Sequence, residues 1–483
     1  MSPCLYLAIN GIIYIMDPDR LKRRQSLRII ISETIMVLSV VFMVVILAFL
    51  VSGYWINSDF KVERQGLLQI SSIPSGADVY IDGDSSWLQR TNTSKVLSAG
   101  EHNVTLTKDG YDSWSRNVNI SEGLLYRLHY PRLFLQDTTT EEILNVDNAT
   151  YKSFSPDGSR LLLIEGITAW QLIELNDQVI KTTTIDVTSL FPGNLEQTSG
   201  QIDTAIITSL DWDQDGSHVL VSVQVDDTAE WILIDIRDTD KSINLTKAFK
   251  GELSQVQILD HSANNLLALI DKSLYKIDVS GRSLSLTTAS DVFYYDHYDA
   301  NDVIFSTVST ESGDTSDYYI ATLRLSDNKI EKLIDTDVPA QAIISKFYDD
   351  KYFVVLQGGT LSLYDYEKRD SKQDYELAFI PDTLKVGHNG EFVIAYSDNN
   401  IATLDMETKS ITEWQTSSDD FDWIDSDMVY DIDQGDLVVY DYDGLNRRII
   451  ARDATAGTPA AIVNDKWLYF FSNDFLMRKA IAD

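Results

Sequence analysis

A turn-and-strand unit that recurs along most of the chain constrains its fold more than any other feature. Polar turns such as Ser155-Pro156-Asp157-Gly158 and Asp213-Gln214-Asp215-Gly216 are each followed by an apolar run typical of a β-strand. Similar units begin at residues 262, 299, 348, 387, 425 and 463. The intervals are on the order of 40–50 residues, which is typical of a propeller blade, whereas a parallel β-helix has a shorter period.

These units predict a β-propeller over residues 130–483, with eight blades, or seven if one unit is an insertion. The last unit has room for only three strands before the chain ends at Asp483. We therefore expect the segment Leu133–Leu144, which has apolar residues at both ends, to supply the missing strand and to close the ring, which removes exposed sheet edges. Units such as Ser155–Leu163 resemble the repeats of TolB-type propellers.

An uncharged apolar stretch, Thr34–Ile56, predicts one N-terminal transmembrane helix. Its 23 residues would span about 34 Å as a helix, enough for a hydrocarbon core of about 30 Å. Tyr54 and Trp55 suit a membrane interface. The closely preceding basic residues are Arg20, Lys22, Arg23, Arg24 and Arg28, against only Lys61 and Arg64 soon after the stretch. This asymmetry predicts a cytoplasmic tail at residues 1–33 and a single-pass cell-membrane protein whose C-terminal domains are extracytoplasmic.

The first fifteen residues are apolar but too short to span a membrane. A start at Met16 would give an ordinary signal-anchor layout, so we expect Met1–Ile15 to be an over-extended start or a disordered extension. The sequence leaves open whether the chain begins at Met1 or Met16.

Composition restricts the partners and the redox chemistry. The net charge is −35, and the acidic excess lies beyond Asn57, which argues against nucleic-acid binding. The single cysteine, Cys4, cannot form a disulfide within the chain, so the exterior domains must depend on ordinary hydrophobic cores.

A small all-β domain is predicted at residues 67–122, after a linker at 57–66. Alternating apolar residues flank the turns Pro74-Ser75-Gly76 and Asp82-Gly83. These turns, together with Val79 and Ile81, and the later run Leu97–Tyr111 with its Gly100, His102 and Gly110, resemble the PEGA domain family. The resemblance implies a small β-sandwich on an extracytoplasmic protein, with a cell-wall or surface polymer as its ligand.

Few residues of the sequence are candidates for catalysis or ligand binding. The sequence has no nucleophile elbow, phosphate loop or His-Glu-x-x-His motif. Trp87 and Trp114 are candidates for stacking on a sugar, with core packing as the alternative. Asp211, Asp213 and Asp215 alternate as in a calcium loop and are candidate metal ligands, with a plain blade turn as the alternative. We expect no other cofactor.

The sequence therefore predicts an all-β exterior, built from a PEGA-like β-sandwich and a propeller, on one membrane helix. The favoured function is non-enzymatic binding or scaffolding at the cell envelope, with the membrane contacted through Thr34–Ile56, a surface polymer at the small domain and a protein or glycan partner on the propeller. Two alternatives remain. One is a propeller-type polysaccharide lyase or glycosidase, and the other is a ligand sensor that relies on a membrane partner.

Overall fold

The computed structural model contains two compact units, Met1–Leu133 and Phe134–Asp483. It describes residues 8–9, 12–13, 18–51, 54–56, 62–166, 169–175, 180–191, 205–225, 228–250, 252–260, 262–309, 317–369, 371–387 and 390–483.

The first unit begins with a short hairpin and one long helix. Strands β1 (Ala8–Ile9) and β2 (Ile12–Ile13) pair antiparallel, although most of Met1–Ile15 lies outside the described residues. Helix α1 (Pro18–Val51) starts with proline, which is favoured at the first helical position. Within it, Ile30–Ala48 is long and apolar enough to cross a membrane, and its side chains are exposed.

The predicted helix end at Ile56 is wrong. Residues Tyr54–Ile56 form strand β3, which pairs with the strand that begins at Val62. An aromatic and β-branched triplet favours a strand, and the preceding Gly53 is a poor helix former. The predicted linker at 57–66 is likewise too long, because that next strand already includes Val62–Gly66.

Two sheets make up the small domain. Its strands are β4 (Val62–Ile70), β5 (Asp78–Ile81), β6 (Asp84–Arg90), β7 (Thr93–Ser98), β8 (Gly100–Thr107), β9 (Trp114–Ile120) and β10 (Leu125–Leu128). One sheet joins β3, β4, β7 and β10, and the other has the order β6-β5-β8-β9. Strict alternation of buried and exposed residues along β9 shows that one face of the second sheet covers the core.

The small domain extends beyond its predicted end at residue 122. Strand β10 pairs in parallel with β4, and Tyr130 packs edge-on against the fully buried Trp114, with ring centroids 6.1 Å apart. Residues 125–133 therefore belong to this unit, and the predicted start of the propeller at 130 is a few residues early.

The second unit is an eight-bladed β-propeller whose blades are four-stranded antiparallel sheets. Its strands follow in chain order: β11 (Thr140–Asn145); blade 1, β12 (Tyr151–Phe154), β13 (Arg160–Glu165), β14 (Ala169–Glu174), β15 (Lys181–Asp186); blade 2, β16 (Ala205–Trp212), β17 (His218–Val225), β18 (Thr228–Asp235), β19 (Ile243–Asn244); blade 3, β20 (Ser254–Ile258), β21 (Asn265–Ile270), β22 (Ser273–Asp278), β23 (Ser283–Leu286); blade 4, β24 (Tyr294–His297), β25 (Asp302–Ser309), β26 (Asp317–Arg324), β27 (Lys329–Thr336); blade 5, β28 (Gln341–Phe347), β29 (Asp350–Gln357), β30 (Thr360–Asp365), β31 (Ser371–Glu376); blade 6, β32 (Thr383–Val386), β33 (Phe392–Ser397), β34 (Asn400–Asp405), β35 (Ser410–Gln415); blade 7, β36 (Phe421–Trp423), β37 (Met428–Asp433), β38 (Asp436–Asp441), β39 (Arg448–Ala451); and blade 8, β40 (Ala461–Val463), β41 (Trp467–Ser472), β42 (Phe475–Ala480). Helical turns at Thr188–Leu190 and α2 (Leu245–Phe249) occur in connections between blades, and Thr239–Lys241 lies between the third and fourth strands of blade 2.

The N-terminal strand closes the ring, as predicted. β11 pairs antiparallel with β42 and is the outermost strand of blade 8, whose sheet order is β11-β42-β41-β40. Arg478 on β42 also forms an ion pair with Glu141 on β11, at 2.6 Å. With eight complete sheets, the seven-bladed alternative is wrong.

Consecutive blades share hydrophobic cores around the ring. Seven clusters of buried side chains each join two neighbouring blades, including one that joins blade 8 to blade 1. Blades 6 and 7 meet through Phe392, whose ring stacks on Tyr442 at 3.8 Å, and through Thr403, which donates a hydrogen bond to the Tyr442 carbonyl. The ring is thus continuous through apolar and aromatic contacts.

The repeated turns explain part of the sequence period. Gly158 has φ +67°, and a Cβ there would lie 2.9 Å from the Ile462 carbonyl of blade 8. Gly390 has φ +76°, and a Cβ would lie 2.5 Å from the Lys346 carbonyl of blade 5. Glycine at this repeat position therefore serves both the turn conformation and the close approach of the preceding blade.

Candidate functional site

The channel of the propeller is lined by the first strands of the blades, and one register position along them is mostly polar. In every blade, the last residue of the third strand pairs with a residue of the second strand. Two residues further along the second strand lies a residue that pairs with the first strand. Its partner on the first strand occupies the equivalent position in all eight blades. We call these eight positions the channel ring: Ser153, Asp211, Gln257, Asp296, Ile343, Lys385, Asp422 and Ala461. Six of them are polar or charged.

The next position along each first strand has the opposite chemistry. It is occupied by Phe154, Trp212, Ile258, His297, Ile344, Val386, Trp423 and Ile462, all apolar or aromatic except His297. Because successive residues of a strand point to opposite faces, the two positions lie on different faces of the blade. At the ring position, Asp211, Lys385 and Asp422 are exposed, whereas Ile343 is buried in the core between blades 5 and 6. The ring is thus a level of the channel at which the rigid scaffold presents polar groups.

Charges of the ring act on one another across the channel. Burial raises the pKa of Asp211 in blade 2, and the charge of Lys385 in blade 6 partly opposes that increase. Burial lowers the pKa of Lys385, but Asp422, Tyr396 and Asp211 outweigh it and leave the pKa raised. Blades 2 and 6 are opposite in a ring of eight, so this interaction acts across the channel. Asp211, Lys385 and Asp422 stay accessible to water, as expected in an open channel.

Asp296 is the ring carboxylate with the most perturbed environment. Burial raises its pKa to about 6, and a hydrogen bond from the His297 backbone opposes the shift. Burial also lowers the pKa of His297, whose Nδ1 lies 3.2 Å from Oε1 of Gln257. At neutral pH this pair combines a mostly ionised carboxylate with a neutral imidazole.

A cavity of about 520 Å³ opens beside Asp296, between blades 4, 5 and 6. Its lining comprises Asp296, His297, Tyr298, Ile344, Ser345, Lys346, Tyr348, Val386, Gly387 and Gly390. This volume is within the roughly 300–1,000 Å³ range that is common for small-molecule sites.

The three predicted calcium ligands, Asp211, Asp213 and Asp215, lie in different surroundings and, within the described part of the chain, have no hydrogen-bond partner in common. The buried Asp213 carboxylate accepts hydrogen bonds from Ser217 N at 2.6 Å and from His218 Nδ1 at 2.7 Å, among others. Asp211 belongs to the channel ring, whereas Asp215 is exposed in the turn, where its carbonyl accepts a hydrogen bond from Arg160. Asp213 thus acts as a turn-stabilising residue, and calcium binding by this segment stays a prediction.

Of the two predicted sugar-stacking tryptophans, Trp114 is fully buried in the small domain. The stacking hypothesis for Trp114 is therefore wrong, because a side chain without exposed surface cannot meet a ligand, and the core alternative applies. Trp87 lies on β6, but its side chain is outside the described part of the structure.

The small domain instead presents a flat polar face on β8 and β9. Cross-strand pairs on this face are Glu101 with Asn119, Asn103 with Asn117, and Thr105 with Ser115. Asn103 Nδ2 donates to Asn117 Oδ1 at 2.7 Å, and the Thr105 and Ser115 hydroxyls lie 2.9 Å apart. Such a face offers amide and hydroxyl groups to a polar ligand, and sequence reasoning overlooked it.

The channel ring was also missed from the sequence, although a signal for it exists. Asp211 and Lys385 both stand two residues before the blade turns that begin at Asp213 and Gly387. Gln257 and Asp296 stand five and three residues before the turns at 262 and 299, so alignment at the turns reveals only part of the polar column. The six polar residues differ in type, so composition alone could not mark them.

Comparison with known proteins supports the small domain directly. Residues 65–131 match the PEGA domain family. No curated protein matches the chain.

Solved propeller-type structures resemble the chain only distantly. An oligogalacturonate lyase in complex with manganese shares 12% identity, covers 66% of this chain and 97% of its own, and has a TM-score of 0.41. The oligogalacturonate lyase of Vibrio parahaemolyticus shares 11% identity over 66% of this chain and 98% of its own, with a TM-score of 0.40. A dihydro-heme d1 dehydrogenase shares 13% identity over 72% of this chain and 71% of its own, also at 0.40. At these values the likeness carries no argument about activity, and the propeller assignment depends on the chain's own eight sheets.

Proposed function

We propose that this protein is a membrane-anchored, extracytoplasmic binding protein of the cell envelope. The channel ring is the observation that carries the proposal, because six polar groups at one level of a rigid scaffold form a surface suited to a ligand. Helix α1 supplies the anchor, with its N-terminal side in the cytoplasm. The small domain contacts a surface polymer, and the propeller contacts a protein or glycan partner.

Electrostatics support binding rather than catalysis at the centre of the ring. Burial lowers the pKa of Lys385, but Asp422 and Asp211 both contribute to raising it, so the two carboxylates favour the charged form of Lys385. Mutually compensated charges suit a preformed recognition surface.

The flat face on β8 and β9 suits the polymer. Its amides and hydroxyls alternate with buried residues along β9 and pair across to β8, so they are held in a regular array. A repeating polymer can bind such an array through several equivalent hydrogen bonds.

Sedimentation with insoluble polymers tests the proposal. Full-length protein in lipid nanodiscs is mixed with peptidoglycan sacculi or cellulose, and we expect cosedimentation with at least one of them. Replacing Asn103 and Asn117 with Arg should greatly reduce it, whereas Arg90→Ala, on the exposed edge of the same domain, should not. Failure of the wild-type protein to sediment with any wall polymer would contradict the polymer-binding role.

A second candidate is a polysaccharide-cleaving enzyme, and the Asp296–His297 pair favours it. A carboxyl with a pKa of about 6 beside a neutral imidazole can exchange protons near neutral pH. The measurement is release of reducing ends from neutral and acidic polysaccharides. Release that Asp296→Asn abolishes would support catalysis, and no release from either class would leave binding as the function.

A further inference from the structure

We propose that the cavity between blades 4, 5 and 6 is a subsite for a neutral sugar, with Tyr348 as its stacking platform. This inference deepens the proposed function, on which it rests, by naming a ligand class for the propeller.

Tyr348 is unusual in both exposure and conformation. It is 58% exposed and has φ +52°, at the first position of a two-residue turn between Phe347 and Asp350. This left-handed backbone region is rare for a bulky aromatic residue and normally favours glycine or asparagine. Backbone strain of this kind concentrates at functional sites.

The turn also holds the Tyr348 ring in place. Phe347 packs against it in an edge-to-face arrangement, with centroids 4.6 Å apart and an interplanar angle of 80°. An exposed aromatic face that is fixed at the rim of a cavity is suited to the apolar face of a sugar ring.

Two side chains of opposite charge line the cavity without forming an ion pair with each other. Asp296 and Lys346 both line it, yet among the described residues neither has an ion-pair partner. The buried Ser345 hydroxyl donates to the Gly390 carbonyl at 2.6 Å and so holds the cavity wall. A carboxylate acceptor and an ammonium donor thus line one space. These groups match a ligand that carries many hydroxyls.

Charge favours a neutral sugar over an acidic one. The cavity carries one carboxylate and one ammonium beside a neutral imidazole, so its own charges nearly cancel. The protein as a whole has a net charge of −35, which repels polyanions.

The position of the cavity also suits part of a longer chain. Asp296 belongs to both the cavity and the channel ring, so a sugar bound there would continue toward the polar level of the channel. Gly390, where a Cβ would lie 2.5 Å from the Lys346 carbonyl, keeps blades 5 and 6 close at the cavity wall.

Calorimetry with defined trisaccharides tests the inference. Full-length protein in nanodiscs is titrated with cellotriose, triacetylchitotriose, trigalacturonate and the dipeptide alanyl-alanine. We expect binding of at least one neutral trisaccharide, weakened about tenfold or more by Tyr348→Ala and by Asp296→Asn, and little binding of trigalacturonate. Ile380→Ala, which alters another exposed apolar side chain of the propeller, is the control and should bind like the wild type.

A stability measurement separates recognition from folding. Tyr348→Asn should raise the melting temperature, because asparagine tolerates the left-handed backbone, while it weakens trisaccharide binding. Absence of binding to either neutral trisaccharide, unchanged affinity in Tyr348→Ala, or preference for trigalacturonate or the dipeptide would overturn the inference. That outcome would not affect the sedimentation experiment, which tests polymer binding by the small domain. The two proposals can therefore be contradicted independently.

Discussion

At the residue scale, the hydrogen bonds of His102 indicate its protonation state. Its Nδ1 lies 2.7 Å from Asp82 Oδ2 and its Nε2 lies 2.9 Å from the Ser98 carbonyl. Both partners are acceptors, so only the doubly protonated imidazolium can donate to both. Burial lowers the pKa of His102, but the bonds to Asp82 and Ser98 outweigh it and leave the pKa raised, while the pKa of Asp82 is lowered, chiefly by the His102 hydrogen bond.

These shifts predict a pH window for the stability of the small domain. The His102 contribution is complete below its unfolded pKa of about 6.5 and is lost as the pH rises through the higher folded value. The Asp82 contribution is present above about pH 4 and is lost as the pH falls through its lowered folded pKa. We expect NMR titration to give His102 a pKa above 6.5, and His102→Gln to cost about 1 kcal/mol at pH 6 and less at pH 8. An equal cost at both pH values would contradict this assignment.

Lys385 predicts a second pH effect, in the propeller. Lys385→Met leaves Asp211 and Asp422 uncompensated, which should cost about 1–2 kcal/mol at pH 7, reduced by channel water relative to a fully buried pair. The folded pKa of Asp211 is already raised and should rise further in the variant. The penalty should therefore grow as the pH rises from 4 to 7.

Thermal melts across that pH range measure the effect. Lys368→Met removes a surface lysine that is 66% exposed and paired with Asp365, so it should change stability by less than about 1 kcal/mol at every pH. If Lys385→Met changes the stability as little as Lys368→Met does, Lys385 does not stabilise the carboxylates of the channel ring.

At the element scale, the closing strand β11 makes one part of the chain depend on another more than 300 residues away. It covers the edge of β42, and Val146 beyond it is buried in the cluster that joins blades 8 and 1. An uncovered β42 would expose unpaired backbone groups and favour association between molecules.

Truncation on either side of β11 tests this dependence. A propeller that starts at Phe134 keeps β11, whereas one that starts at Asn148 loses it. We expect the shorter protein to melt several degrees lower or to aggregate, as measured by calorimetry and light scattering. Equal melting temperatures with both proteins monomeric would contradict closure by β11.

At the scale of the whole molecule, the local periodicity of the sequence predicted the architecture. The candidate site could be located only from the pairing register of the strands. Turns such as Ser155–Gly158 recur often enough to predict eight blades, and the shortage of strands after Val463 predicted the closing strand. Asp211 and Lys385 are 174 positions apart in sequence, and only closure of the ring places them on opposite channel walls. The sequence left both the stacking and the core interpretation of Trp114 open, because an aromatic residue in a strand has the same sequence pattern whether it faces the core or a ligand.

We propose above that the propeller is extracytoplasmic and that helix α1 anchors it in the membrane. The chain has a single cysteine, so Cys4→Ser combined with Ile380→Cys gives a protein with one thiol, at a position that is 73% exposed on the propeller. The decisive measurement is labelling of this thiol by a membrane-impermeant maleimide in osmotically intact spheroplasts. The account predicts full labelling before lysis, and labelling only after lysis would contradict it.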